Sequence, residues 1–236
     1  MNPTSHQIPE HHRDVSGGWL RAAVFGAMDG LVSNIGLIAG VGGGGVAASG
    51  IIVTGFAGLV AGAISMALGE YSSVRTQSEQ VAAEVAKERR ELERNPDSEI
   101  DELAHMWIKR GLPADLAHEV ARVVHTNPEE ALRVHAREEL GVDPTEQPSP
   151  WTAAWSSFVC FSLGAFVPLL PYLVGFRELW LALAAGGVGL FAAGALSARF
   201  TQRRWWLSGL RQLMLGAAAA GATYLIGMLI GGAAGL

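Results

Sequence analysis

Carboxylates recur at helical spacing along one stretch of this sequence. Glu84, Glu88 and Glu91 are separated by four and three residues, Glu99 and Glu102 by three, and His135 and Glu139 by four. At about 100° per residue, each set returns to one face of a helix. Met106 follows Glu102 at the same spacing, with His105 beside it, and Glu138 adjoins Glu139. Three short helices presenting Glu, with some His and Met, can converge on a divalent-metal site. Oxygen ligands with a few nitrogens or thioethers suit Fe2+ and Mn2+ better than structural zinc. The same acids can instead form a solvated face, paired locally with Lys87, Arg89, Arg90 and Arg94. No CxxC, HExxH or EF-hand spacing is present to decide between the two.

A second group of chemically capable residues lies in apolar surroundings. Asp29 sits in Met28-Asp29-Gly30, within a run long enough to cross a membrane. A carboxylate there costs several kcal/mol unless solvated, paired or protonated, and is a functional candidate by default. No Lys, Arg or His lies in the apolar segments to neutralise it, so a cation or a proton is its natural partner. Met66 and Ser65 come late in the next apolar run, just before Glu70. A thioether is most often packing, and is also a soft metal ligand. Glu70 falls near the membrane boundary, where it can gather cations. The lone cysteine, Cys160, has no partner for a disulfide or a thiolate site and reads as a small buried side chain. There is no Walker loop and no intramembrane Ser-His pair, so the chain does not read as an enzyme or an ATP-driven pump.

The elements that must position these residues follow from hydropathy. Half of the 236 residues are hydrophobic and only 17% are charged. The stretch 75–146 holds 17 acids and 10 bases, whereas the remainder holds 5 acids and 7 bases. The acid is thus confined to one insert between apolar blocks, which excludes the basic face that nucleic acid needs. Spans are predicted at Ala22–Val41, Ile51–Gly69, Trp151–Val174, Leu179–Ser197 and Leu210–Ile230. The expected fold is all-α: a polytopic membrane protein with five transmembrane helices and a cytoplasmic helical insert between spans 2 and 3. The division is an N-terminal tail over 1–20, spans 1–2 over 21–74, the acidic insert over 75–149 and spans 3–5 over 150–236. The tail, with His6, His11 and His12, has no apolar run before Trp19 and is not a signal peptide.

Within the insert, the second span is expected to continue as a charged helix to Asn95-Pro96. Ser98 then opens a helix with Asp101 at the capping-box position, running to Arg110 and Gly111. A third runs from Pro113 to His125, and a fourth opens with Asn127 and Pro128 and ends before Gly141. Basic residues favour one side: Arg13 and Arg21, the insert, and Arg199, Arg203, Arg204 and Arg211, against Arg177 alone opposite. The N-terminus and insert are therefore expected to be cytoplasmic. Trp151, Trp155, Trp205 and Trp206 suit the interfacial belt on that side. Small residues such as Gly55, Gly58 and Gly62 permit close helix packing or dimerisation.

The runs MDGLVSNIGLIAGV, SMALGEYSSVRTQSE, ERRELERNP, ELAHMWIKRGLPADLAHEVA, HAREELGVDP and PWTAAWSSFVCFSLGAFVPLLPYL resemble the vacuolar iron transporter family, in the same order and over nearly the whole chain after residue 18. The resemblance implies a five-span protomer paired as a homodimer in the lipid membrane. It implies export of Fe2+, and in some members Mn2+ or related ions such as Zn2+ or Co2+, from the cytosol in exchange for protons, with no other cofactor. By matching motifs, insert ligands fall on Glu88, Glu91, Glu99, Glu102 and Glu139, and translocation residues on Asp29 and Met66. Glu84 and Glu70 are added by spacing alone. Characterised members can carry methionines where this chain has His135 and Ala136, and no second acid occurs around Gly58, which leaves proton coupling to Asp29. A bacterial plasma membrane is the expected location. The competing expectation is a non-transporting membrane protein whose acidic insert senses metal or docks a basic partner.

Overall fold

The computed structural model describes residues 18–145, 147–201 and 203–234. His6, His11, His12 and Arg13 lie outside the described residues. The described chain is helical, without a strand. Helix α1 covers Gly18–Gly43 and α2 covers Ala48–Arg94, 47 residues without a break. Helices α3 (Pro96–Lys109), α4 (Ala114–Val124) and α5 (Pro128–His135) follow. Then come α6 (Pro150–Phe166), α7 (Leu170–Leu173), α8 (Leu179–Thr201) and α9 (Trp205–Ala234). Among the described residues, five stretches are long and apolar enough to span a bilayer: Trp19–Gly43, the apolar part of α2, Pro150–Leu173, Leu179–Arg199 and Trp205–Ala233. The protein is an all-α, multi-pass integral membrane protein. The helices outrun the predicted spans because a helix ends where its backbone ladder is broken, not where hydropathy falls.

The described chain divides into two compact units. One comprises residues up to Met66 with Trp155 onward, the other Ala67–Ala154. In the first, Leu31, Ile35 and Ala39 of α1 pack with Leu190 of α8 and Ala220 of α9. Ile38 and Ile51 pack with Leu169, Tyr172 and Ala182. Crossing α1 over α6 requires glycine: a Cβ on Gly30 would strike the Phe161 carbonyl oxygen, and one on Gly164 would strike that of Ala27. Pro168 lacks an N–H and turns the end of α6 into a 3-10 turn at Val167–Leu169. Just before it, the Ala165 carbonyl accepts a hydrogen bond from Asn34 Nδ2 at 2.5 Å.

In the second unit, α3 and α4 close around Leu103, Ala104, Ala117 and Ala121, with Trp107 and Val134 against them. Met106 belongs to this apolar cluster, which accounts for its place in the sequence pattern. Helix α3 begins at Pro96, not at Ser98. Proline suits the first helical turn, and the Glu99 amide already donates to the Asn95 carbonyl at 3.1 Å, so Ser98 lies inside the helix. Asn127 caps α5 as its sequence position predicts, accepting from the Glu129 and Glu130 amides at 3.1 and 3.3 Å. Helix α5 runs on into a single π-helical turn, Ala136–Leu140, which ends at Gly141 with φ of 66°. The Tyr71 and Trp151 rings meet at 4.8 Å, joining the segments by which the chain enters and leaves this unit.

Candidate metal centre

Four residues of the second unit meet in one small volume. Helix α2 supplies Glu88, α3 Glu99, α5 His135 and the π-helical turn Glu139. One ligand atom from each lies within 4.8 Å of every other. His135 Nδ1 stands 2.8 Å from Glu139 Oε1, 3.0 Å from Glu88 Oε1 and 3.9 Å from Glu99 Oε2. His135 is wholly buried, Glu88 and Glu99 are nearly so, and the Glu139 side chain keeps 23% of its exposure. The π-helical turn hands the chain from His135 to Glu139 with hydrogen bonds that reach one residue further along the chain than in an α-helix, a local widening often found at functional sites.

The local electrostatics are unusual for three carboxylates in one place. Among the described residues, no Lys or Arg forms an ion pair with Glu88, Glu99 or Glu139. The nearby bases are engaged elsewhere: Arg110 pairs with Glu138, Arg137 with Asp143, Arg133 with Glu130 and Arg89 with Glu129. Burial, then the charge of Glu139, pushes Glu88 up to about 7, with His135 opposing and Glu99 and Glu91 adding to the rise. Burial and the neighbouring Glu102 also raise Glu99. One imidazole N–H cannot serve two carboxylates fully. Glu88 Oε1 and His135 Nε2 are buried without a hydrogen-bond partner among the described residues.

Such a set can hold a cation. Three carboxylate oxygens and one imidazole nitrogen suit a divalent transition ion, with the imidazole favouring it over Mg2+ or Ca2+. Donors bound about 2.0–2.2 Å from an ion stand roughly 3–4 Å apart, so these four need draw in by only about 1 Å. Glu91 is half-buried and lies 3.8 Å from Lys87, and Glu102 is exposed. Both stand outside the four-residue group, yet their charges are felt at Glu99. Glu84 is exposed and also outside it. Sequence spacing groups Glu138 with His135 and Glu139, but the structure turns it to Arg110.

One neighbour was not visible in the sequence pattern. The His125 ring packs edge-on against His135 at 5.2 Å, and its Nδ1 lies 2.8 Å from the Ala121 carbonyl. Burial lowers its pKa. The nine intervening residues include a helix end and a turn, so no periodicity links the two histidines.

In the first unit, Asp29 is partly buried on α1 and accepts a hydrogen bond from Ser33 Oγ at 3.1 Å. Asn34, one residue on, is buried, and its Oδ1 has no partner among the described residues. Met66 packs on Ala63, Phe161 and Ala165. Glu70, in the second unit, is buried.

Comparison with known proteins gives the family of the chain as a whole. The VIT family profile matches residues 20–228. A protein of Acanthamoeba castellanii named vacuolar iron transporter is 39% identical over 204 residues, covering 79% of this chain and 72% of its own. Vacuolar iron transporter 1 of Arabidopsis thaliana is 28% identical over 98% of this chain and 94% of its own. Vacuolar iron transporter 1 of Oryza sativa subsp. japonica is 32% identical, over 93% and 88% respectively.

Proposed function

The chain belongs to the VIT family, and on that premise we propose that it exports Fe2+ from the cytosol in exchange for protons. The VIT family is one of transporters, not enzymes. One observation carries the reading: buried Glu88, Glu99 and His135 form a carboxylate-imidazole cluster with Glu139 that, among the described residues, has no basic counter-charge from Lys or Arg, in a relative of iron transporters. In this proposal the cluster takes up the ion, with Glu91, Glu102, Glu84 and Glu70 supplying negative charge around the route to it. Mn2+ is carried by the same donor set, and Zn2+ and Co2+ compete for the imidazole.

Asp29 and Met66 line the proposed membrane path. A carboxylate and a thioether offer one hard and one soft ligand to a borderline ion. Protonation of Asp29 from the far side weakens its hold on the metal and releases it, so protons run against metal. The N-terminus and the insert lie on the cytoplasmic side of a bacterial plasma membrane, and two protomers pair through small-residue helix faces.

The test is flux in proteoliposomes under an imposed pH gradient. Fe2+ flux that requires the gradient and is lost in Asp29→Asn is the expected result. Metal binding by the full chain without flux of Fe2+ or Mn2+ would favour a sensor or docking protein instead.

A further inference from the structure

Where α8 turns into α9, we infer a binding site for an anionic phospholipid, its phosphate held by arginines and an acyl chain laid along α8. This inference stands apart from the metal centre and holds whichever ion is carried. Four arginines, Arg199, Arg203, Arg204 and Arg211, are exposed around this turn. Among the described residues none of them has a carboxylate partner. Elsewhere in the chain the bases are widely paired: Arg75, Arg89, Arg110, Arg133 and Arg137 each reach an acid.

The turn is concave as well as basic. One cavity, of about 730 Å³, is lined by Arg199, Arg203 and Trp205 together with Ala192, Ala195 and Leu196 of α8. A second, of about 460 Å³, is lined by Arg203, Arg204, Leu207, Ser208 and Arg211. Arg203 borders both. The first therefore joins guanidinium groups to an apolar wall within a membrane-spanning helix. The Trp205 ring is held edge-on against Phe191 at 6.1 Å, and an indole at the end of an apolar helix suits the headgroup region.

An excess of basic residues at a membrane boundary is expected from orientation alone. That rule calls for charge; it does not call for unpaired guanidinium groups bordering two adjoining cavities, one with an aliphatic side. Guanidinium forks suit phosphate oxygens in a way that a point charge does not. Basic pockets between transmembrane helices are a recognised mode of headgroup binding. A soluble phosphate would use the arginines and leave the Ala192, Ala195 and Leu196 wall unexplained.

The full-length protein in neutral detergent is the material for the test. Added phosphatidylglycerol should raise its thermal stability and co-purify with it, whereas phosphatidylcholine should do neither. Arg203→Gln/Arg204→Gln should lower lipid retention by about fivefold per arginine removed. Arg177→Gln, in the turn before α8, should leave retention unchanged. Arg203→Lys should retain only part of the binding. A photoactivatable phosphatidylglycerol should crosslink the parent protein within residues 192–211, a readout that needs no variant to fold. Equal effects of phosphatidylcholine, equal protection by inorganic phosphate, or crosslinks confined to other helices would each overturn the assignment.

Discussion

In the proposed metal centre, Glu88 has a proton or a metal ion as its alternative partners. Its carboxylate is pushed up to about 7, chiefly by burial, so near neutral pH it is poised between its two forms. The folded value lies above the ordinary one, so the folded state binds more protons than the unfolded state between about 4.5 and 7. Without metal, the insert should therefore lose stability as pH rises through that window. A bound divalent ion reverses the sign, because it needs the ionised carboxylates. Titration of Mn2+ into the full chain should give affinity that climbs from pH 6 to about pH 8, with the gain centred near Glu88's value. A flat affinity would remove Glu88 from the ligand set. Glu88→Gln should have opposite effects on the two states. Metal affinity should fall by more than the roughly 10–100-fold typical of outer-shell changes. Thermal stability without metal should hold or rise, since one of three crowded carboxylates is gone.

The helices carry the ligand geometry, so their ends and crossings are as exposed to mutation as the ligands. Asn127 caps α5, whose last residue is His135. Asn127→Ala should cost about 1 kcal/mol of local stability and loosen His135 against Glu139, lowering metal affinity although Asn127 touches no ligand. Isothermal titration beside a melting curve checks both. At the α1–α6 crossing, a methyl on Gly30 meets backbone of α6, which cannot rotate away. Gly30→Ala should destabilise the protein by about 1–3 kcal/mol. Gly69→Ala is the contrasting case, because a Cβ there has no neighbour within 4 Å. It should be neutral or stabilising by up to about 1 kcal/mol, since alanine is the better helix former. Fluorescence-detected melting of the detergent-solubilised protein separates the two.

At the scale of the molecule, collection and translocation of the ion make different kinetic demands. If the insert supplies ions, Glu88→Ala/Glu91→Ala should reduce Fe2+ flux mainly at low metal concentration and recover toward the parent maximum at high concentration. Asp29→Asn should lower the maximum itself, whatever the concentration. A proteoliposome concentration series at a fixed pH gradient distinguishes these patterns. The opposite pattern, with the insert variant limiting the maximum, would place the insert in the translocation step.

The all-α architecture, the five apolar helices and the acidic insert were legible in the sequence because each depends on local quantities. Hydropathy over about 20 residues, helical periodicity and the punctuation at Asn95-Pro96, Gly111, Asn127-Pro128 and Gly141 are all carried by near neighbours. Asp29 stood out for the same reason, as a charge in an apolar run. Local punctuation misled where two signals competed: Pro96, two residues before Ser98, had already begun α3. Which glutamates meet was not a local quantity. Glu88, Glu91 and Glu84 look equivalent by spacing, yet only Glu88 is buried against His135. That choice follows from the packing of Leu103, Ala104, Ala117 and Ala121, which joins α3 and α4, and from the π-helical turn that follows His135. The placing of His125 beside His135 and of Glu138 on Arg110 was decided in the same way. Periodicity assigns residues to a face of one helix, whereas a site drawn from three helices and a turn is set by how those faces pack.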